Sequence, residues 1–294
     1  MTDQEPYGPK RNVVITGASG GIGFYIARAL LAHGHDLTLV ARDSDRGRQA
    51  TERLAGLAQD GQRVTFEPAD LTHLQEVHRL ADRLLEQQAK IDVLVNNAGR
   101  YVHDFARSDD GFETTFALNH LAPFVLTHRL MPALNQSDAP TVVTTASMAE
   151  RVGPIDLERF ASGVPYSAWR AYGWSKQANV HFARELARRA PHIASASFHP
   201  GFVATGFGHS GGGLLTPLLK GAQRLFGRTP EQGADTGAWL AAHPQRINPN
   251  GGYFVDRDAQ TPSKAGRDDT MAAELWRRSE AWAGLDDALK LNPA

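Results

Sequence analysis

The sequence predicts an α/β fold: a doubly wound, mostly seven-stranded parallel sheet with helices on both faces, in a single domain. Three observations carry this prediction. Short β-branched runs alternate with longer helical patterns along the chain. Several of the short runs are apolar almost without interruption, as strands covered on both faces are. A glycine-rich turn joins the first such run to the first helical pattern.

The elements follow in order. Strands are expected at 12–17, 36–41, 63–68, 91–97, 141–147, 193–199 and 252–256. Helical patterns lie between or after them at 22–33, 46–59, 73–88, about 110–135, 170–189, 215–226, 231–243 and 268–283. No linker-like stretch or internal repeat divides the chain, so a single domain over 1–294 is expected, with its core at about 12–284. Two places interrupt the rhythm. Residues 148–169 separate the fifth strand from the next helix, and a glycine-rich stretch follows the sixth strand. That stretch contains "GFGHSG", but not between a first strand and its helix, so it is not read as a phosphate site.

The bulk numbers restrict the function classes. The chain has 294 residues, 41% hydrophobic and 21% charged, which is enough apolar material for a large core. A net charge of −1 provides no overall field for nucleic acid. There is no cysteine, so thiolate catalysis, disulfides and cysteine metal sites are excluded. The histidines lack metal-ligand spacing, and no protein-bound metal is expected. The polar start and the lack of a long apolar run give the expectation of a cytoplasmic protein with no integral membrane segment.

The motif "VVITGASGGIG" is where chemistry enters. A strand runs to Gly17; Gly20, Gly21 and Gly23 follow, and then an amphipathic helix begins. Pyrophosphate needs backbone N–H groups at a helix N-terminus and no side chain in the way. A tight turn without a ligand is the competing reading. The Gly17-xxx-Gly21-x-Gly23 spacing resembles the cofactor motif of the short-chain dehydrogenase/reductase family. The resemblance extends to "NNAG" at 96–99, "LNHLAPF" around Asn119, "TTASMAE" around Ser147, "YGWSK" at 172–176 and "HPGFVAT" at 199–205, nearly the whole chain. The tail "GGYFVDRDAQTPSKAGRDDTMAAELWRRSEAWAGL" is similar to that of retinol dehydrogenase-like members, with protochlorophyllide reductases more distant.

The resemblance implies a Rossmann-type fold and a catalytic set of Asn119, Ser147, Tyr172 and Lys176. It implies cofactor contacts from Gly17, Ser19, Gly20, Gly21, Ile22 and Gly23, and from Asp70 and Leu71. Further contacts are implied from Asn97, Ala98, Gly99, Tyr172, Lys176, Pro200, Gly201, Val203 and Thr205. Asn119 is expected to hold a water for proton relay. His199 is read as structural.

Elementary chemistry agrees with the Tyr–Lys pair. Hydride transfer to a carbonyl needs a general acid at the oxygen. Free tyrosine, with a pKa of about 10, shuttles protons poorly at neutral pH. A lysine one helical turn away is expected to lower that value, and a hydroxyl such as Ser147 stabilises charge on the substrate oxygen. At the end of the second strand, Arg42 stands where an acidic residue would favour NAD(H). Arginine suits a 2′-phosphate, with Arg46 or Arg48 adding charge, so NADP(H) is favoured over NAD(H). A solvent-facing Arg42, or Asp43 on the ribose, is the alternative.

The expected reaction interconverts an apolar aldehyde or ketone and its alcohol. An epimerase or dehydratase on the same fold, and a non-enzymatic NADP sensor, are the alternatives. The substrate and the reaction direction stay open. A lid is expected at about 202–230; within it, 214–226 reads equally as lid or core packing. Trp169 and Phe207 are placed near the pocket from chain position. Both homodimer and monomer stay open. The family often pairs through the 110–135 and 170–189 helices, and the long 148–169 stretch is expected to hinder this.

Overall fold

The computed structural model describes residues 9–42, 44–162, 164–201 and 227–285. Eight strands form one sheet in the order β3-β2-β1-β4-β5-β6-β7-β8. They are β1 (Asn12–Thr16), β2 (Asp36–Ala41), β3 (Val64–Pro68), β4 (Val93–Asn96), β5 (Thr141–Thr145), β6 (Ala194–Phe198), β7 (Gly252–Val255) and β8 (Asp258–Gln260). The first seven are parallel, as expected. The eighth is antiparallel to β7 and was not foreseen. Its turn uses Asp256 and Arg257 at φ 54° and 64°, positions that normally advertise themselves with glycine.

Both faces of the sheet are buried, and the period-2 alternation shows how. Val13, Ile15, Leu37, Leu39, Val93 and Val95 join one core layer, with Ile26 and Leu30 of α1 (Gly21–Ala32) and Leu54 of α2 (Asp45–Ala55). Val14, Val40, Leu94 and Val142 face the other, with Leu80 of α3 (Leu74–Gln87) and Phe124 further along.

The helix expected at about 110–135 begins later and is not uniform. Glu113 caps it by accepting from the backbone N–H groups of Thr115 and Phe116 at 2.8 and 2.9 Å. It runs as α4 (Thr114–Phe116), a π-helical turn at Ala117–Leu121 and α5 (Ala122–Leu134). The 148–169 stretch holds a 3-10 turn, Met148–Val152, and α6 (Leu157–Ser162). Next come α7 (Ala168–Arg189), α8 (Pro230–Ala242) and α9 (Asp269–Trp282). The helix expected at 215–226, the lid over 202–226, Phe207 and Asp43 lie outside the described residues. No described helix is long and apolar enough to cross a membrane.

Helix α9 covers the outer face of α5 and α7. Trp276, 2% exposed, lies 4.9 Å from the Phe124 ring and stacks on Phe182 at 5.8 Å. The face on which the resemblance suggested pairing is therefore occupied by the chain's own C-terminal helix. Beneath α9 sit three buried histidines. Burial draws His120 down to about 3, and His128 and His181 to about 4. Each is neutral in the fold and takes up a proton near pH 6.5 when unfolded, so their stabilising contribution is lost as pH falls from 6.5 towards 4. At pH 5 the loss is about 1–2 kcal/mol per histidine. Urea unfolding at pH 7 and pH 5 is expected to show this fall. Both His181 ring nitrogens lack partners, so His181→Leu is expected to flatten the pH dependence; an unchanged slope would refute the assignment.

Candidate active site

Strand order reverses between β1 and β4, which opens a crevice at their C-terminal ends. The glycine turn lies on one side of it. Helix α1 starts at Gly21 with no capping side chain and no acidic residue in its first turn. Its leading N–H groups are therefore open to an anion, and this end fits a dinucleotide pyrophosphate. The glycines divide the work. Gly17, at φ 70°, has no room for a Cβ: one would lie 2.8 Å from Ala98 Cα. At Gly23 a Cβ would lie 2.5 Å from Asn97 Nδ2 and from the Gly17 carbonyl oxygen. Internal packing thus requires glycine at these two positions, a reason that sequence reasoning did not give. Gly20 faces outward, under Arg46, whose Nε donates to the Ser19 carbonyl at 3.2 Å. Ile22 follows on α1, and Arg42 is exposed just past β2.

Asn97 joins the two sides of the crevice. Its Nδ2 donates to the carbonyls of Thr16 and Gly17, and its Oδ1 accepts from the Thr145 hydroxyl at 3.3 Å. Ala98 donates its backbone N–H to the Thr16 hydroxyl. A Cβ on Gly99 would stand 3.2 Å from Asn119 Oδ1 and 3.3 Å from Lys176 Nζ, so these three positions converge.

Ser147 lies two residues past β5 and accepts from the Ala149 N–H at 3.2 Å, starting the 3-10 turn. Its side chain also acts on Tyr172, opposing the effect of burial on the phenol. Lys176 is 3% exposed; its Nζ donates to the Thr145 carbonyl at 3.1 Å and lies 5.6 Å from the centroid of the Tyr172 ring. The electrostatics differ from the expectation. Burial pushes the Tyr172 phenol up to about 12, with Ser147 opposing the rise. Burial also pulls Lys176 down to about 8. Lysine at i+4 does not lower the phenol here, because desolvation of both groups outweighs an ammonium that lies over the ring.

Asn119 sits in the π-helical turn, fully buried. Its Oδ1 accepts from Arg100 N–H at 2.8 Å, and its Nδ2 donates to the Arg100 carbonyl and to Ser175 Oγ. Both amide protons are thus used, and its side chain clamps the chain after β4 to α7. The water-holding role expected of Asn119 does not fall to those protons. Ser175 in turn donates to the Tyr172 carbonyl at 2.7 Å.

Of the remaining expected cofactor residues, Asp70, Leu71, Pro200 and Gly201 are described, each just past the C-terminal end of a strand. Asp70 follows β3; burial alone would raise its carboxyl, but the Thr72 hydroxyl and N–H, at 2.7 and 3.0 Å, hold it below the usual range. Leu71 is buried beside it. Pro200 and Gly201 follow β6, Gly201 at φ 81°. Val203 and Thr205 lie outside the described residues. His199 supports Ser147's neighbour, its Nδ1 accepting from Met148 N–H at 3.3 Å. Sequence reasoning missed Thr16, Thr145, Ser175 and Tyr101, whose ring meets that of Tyr172 edge-on at 5.7 Å. Their contacts are between distant segments and leave no local signal.

Comparison with known proteins agrees with this geometry. The profile of the short chain dehydrogenase family matches residues 11–211. A protein of Streptomyces sp. strain C5, provisionally assigned as the daunorubicin C-13 ketoreductase DnrU, is 38% identical, covering 95% of each chain. Mouse retinol dehydrogenase 14 is 35% identical over 94% of this chain and 86% of its own. Among solved structures, an uncharacterized protein from Mycobacterium paratuberculosis superposes with a TM-score of 0.76 at 32% identity, covering 96% of both chains. The Pseudomonas aeruginosa RhlG/NADP active-site complex superposes at 0.65 with 27% identity, covering 85% of this chain and 97% of that one. With its fold, its crevice and these matches together, the chain belongs to the short-chain dehydrogenase/reductase family of oxidoreductases, in the retinol dehydrogenase-like subgroup.

Proposed function

We propose that the protein is an NADP(H)-dependent oxidoreductase that interconverts an apolar aldehyde or ketone and its alcohol, with Tyr172 as general acid and base. The observation that carries this reading is the meeting of Tyr172 with Lys176, which is buried one helical turn away with its Nζ 5.6 Å from the phenol ring centre, beside Ser147. A phenol held near 12 keeps its proton at neutral pH, the state a donor to a carbonyl oxygen needs. Ser147 stabilises the charge growing on that oxygen. In the reverse direction Tyr172, as phenolate, accepts the alcohol proton.

The N-terminus of α1 would hold the pyrophosphate, and Arg42 and Arg46 the 2′-phosphate. When bound, the nicotinamide supplies the hydride. The ketoreductase and retinol dehydrogenase relatives support the carbonyl–alcohol class, and neighbours solved with NADP support the cofactor choice.

Three measurements test this. NADPH oxidation is followed by absorbance over a panel of apolar aldehydes and ketones. Tyr172→Phe is expected to lower kcat by about 10²–10⁴ with cofactor binding kept; activity within tenfold of wild type would sink the acid assignment. The double variant Arg42→Ala/Arg46→Ala is expected to raise the KM for NADPH about tenfold or more while that for NADH stays nearly constant. Equal effects on both would remove the 2′-phosphate role.

Lys176→Met bears on the burial argument. A lysine drawn from 10.5 to about 8 costs folding stability fully below pH 8, and the cost disappears as pH rises to 10.5. Thr145 O keeps a second donor in Asn179 Nδ2. The variant is expected to be inactive yet more stable at pH 7, by up to about 3 kcal/mol, with the gain shrinking above pH 8. Denaturant melts across pH read this directly, and a destabilised variant would refute it.

A further inference from the structure

We propose that Trp169 selects the substrate, as the outer part of an aromatic wall that receives a large, flat, apolar body carrying the reacting carbonyl. This deepens the oxidoreductase reading above and rests on it. The starting observation is where apolar surface is left open. Among the described residues, the exposed large hydrophobic side chains are Leu57, Phe105, Met148, Val164 and Trp169. All except Leu57 stand on two segments near Tyr172 in the chain or the fold, one after β4 and one running from the end of β5 into the first turn of α7. Apolar surface gathered in this way marks a binding site more often than scattered exposure does.

The wall is joined to the acid at several points. Trp169, 55% exposed, lies three residues before Tyr172 on α7, on the same helix face. Met148, also 55% exposed, directly follows Ser147, whose side chain acts on the Tyr172 phenol. The Tyr101 ring stands edge-on to that of Tyr172 at 5.7 Å. The two segments are fastened to each other: the Tyr166 hydroxyl donates to the Val102 carbonyl at 2.6 Å, and its ring lies 5.5 Å from Phe105. The two segments are thus held together before any ligand arrives, which reduces the ordering cost of binding.

Size and shape follow from this. A short aldehyde that reaches Tyr172 leaves Met148 and Trp169 uncovered and gains nothing from them. A body several rings wide covers both. Aromatic faces pair with other π systems beyond what area burial provides, so a fused-ring carbonyl is preferred over a saturated chain of similar size.

The test compares product formation from benzaldehyde, 2-naphthaldehyde, pyrene-1-carbaldehyde and dodecanal, with NADPH, in wild type, Trp169→Ala and Trp169→Phe. Wild-type kcat/KM is expected to rise with ring number. Trp169→Ala is expected to lower kcat/KM for the pyrene aldehyde tenfold or more, through KM with kcat kept, and to leave benzaldehyde unchanged. Trp169→Phe is expected to restore most of the loss. An equal loss on all four aldehydes would make Trp169 a support for Tyr172 and overturn the proposal, as would no loss on any. A loss on dodecanal as large as on the pyrene aldehyde overturns the preference for flat bodies. Unchanged kinetics with lost retention on phosphatidylcholine vesicles would make the rim a lipid-docking surface and overturn substrate selection. A wild type that turns over none of the aldehydes, while binding NADPH, overturns the oxidoreductase reading itself.

Discussion

The Thr16 hydroxyl is the point on which sheet, glycine turn and crevice depend. It accepts the backbone N–H groups of both Asn97 and Ala98, each at 3.0 Å, where β1 and β4 end. Here the strands part because the chain order reverses, so sheet hydrogen bonding alone cannot satisfy these donors. The Asn97 side chain completes the junction by reaching Thr16 and Gly17 on one side and Thr145 on the other. Gly17 and Gly23 must be glycine because this amide and Ala98 fill the space beside them. From Thr145 the chain of contacts continues, since its carbonyl receives Lys176 and Asn179. The turn suited to an anion and the helix carrying the Tyr–Lys pair are thus held in one frame.

Within that frame the polar groups are buried before any chemistry begins. Tyr172 and Lys176 are both shifted towards their neutral forms, the phenol upward and the ammonium downward. The π-helical turn at Asn119 belongs to the same economy of buried groups. It sets the Asn119 amide where its donors and acceptor meet the Arg100 peptide and Ser175, and an extra residue in a helical turn is a common way to aim one side chain.

The C-terminal helix extends this frame outward. Trp276 and Ser279 of α9 close over His120, His128 and Phe182, so part of the core is completed only by the last described helix. Arg184 and Arg188 of α7 hold its start through Asp269. The same face carries both stability and acid sensitivity, because three imidazoles are neutral only while it stays covered.

Periodicity and glycine spacing were legible along the chain because they are local. Seven strands, most helices, the Gly17–Gly23 turn and the Tyr172–Lys176 spacing each follow from residues within one element. What was not legible depends on segments far apart in sequence. Strand β8 is three residues long and turns on Asp256 and Arg257, without the glycine that marks such turns. The roles of Thr16, Thr145, Ser175 and Tyr101 exist only where separate strand ends and helices meet. The direction of the Tyr172 shift reversed the expectation for the same reason. Sequence shows that the pair is four residues apart, but only packing decides how much water each group loses, and here desolvation is the larger effect.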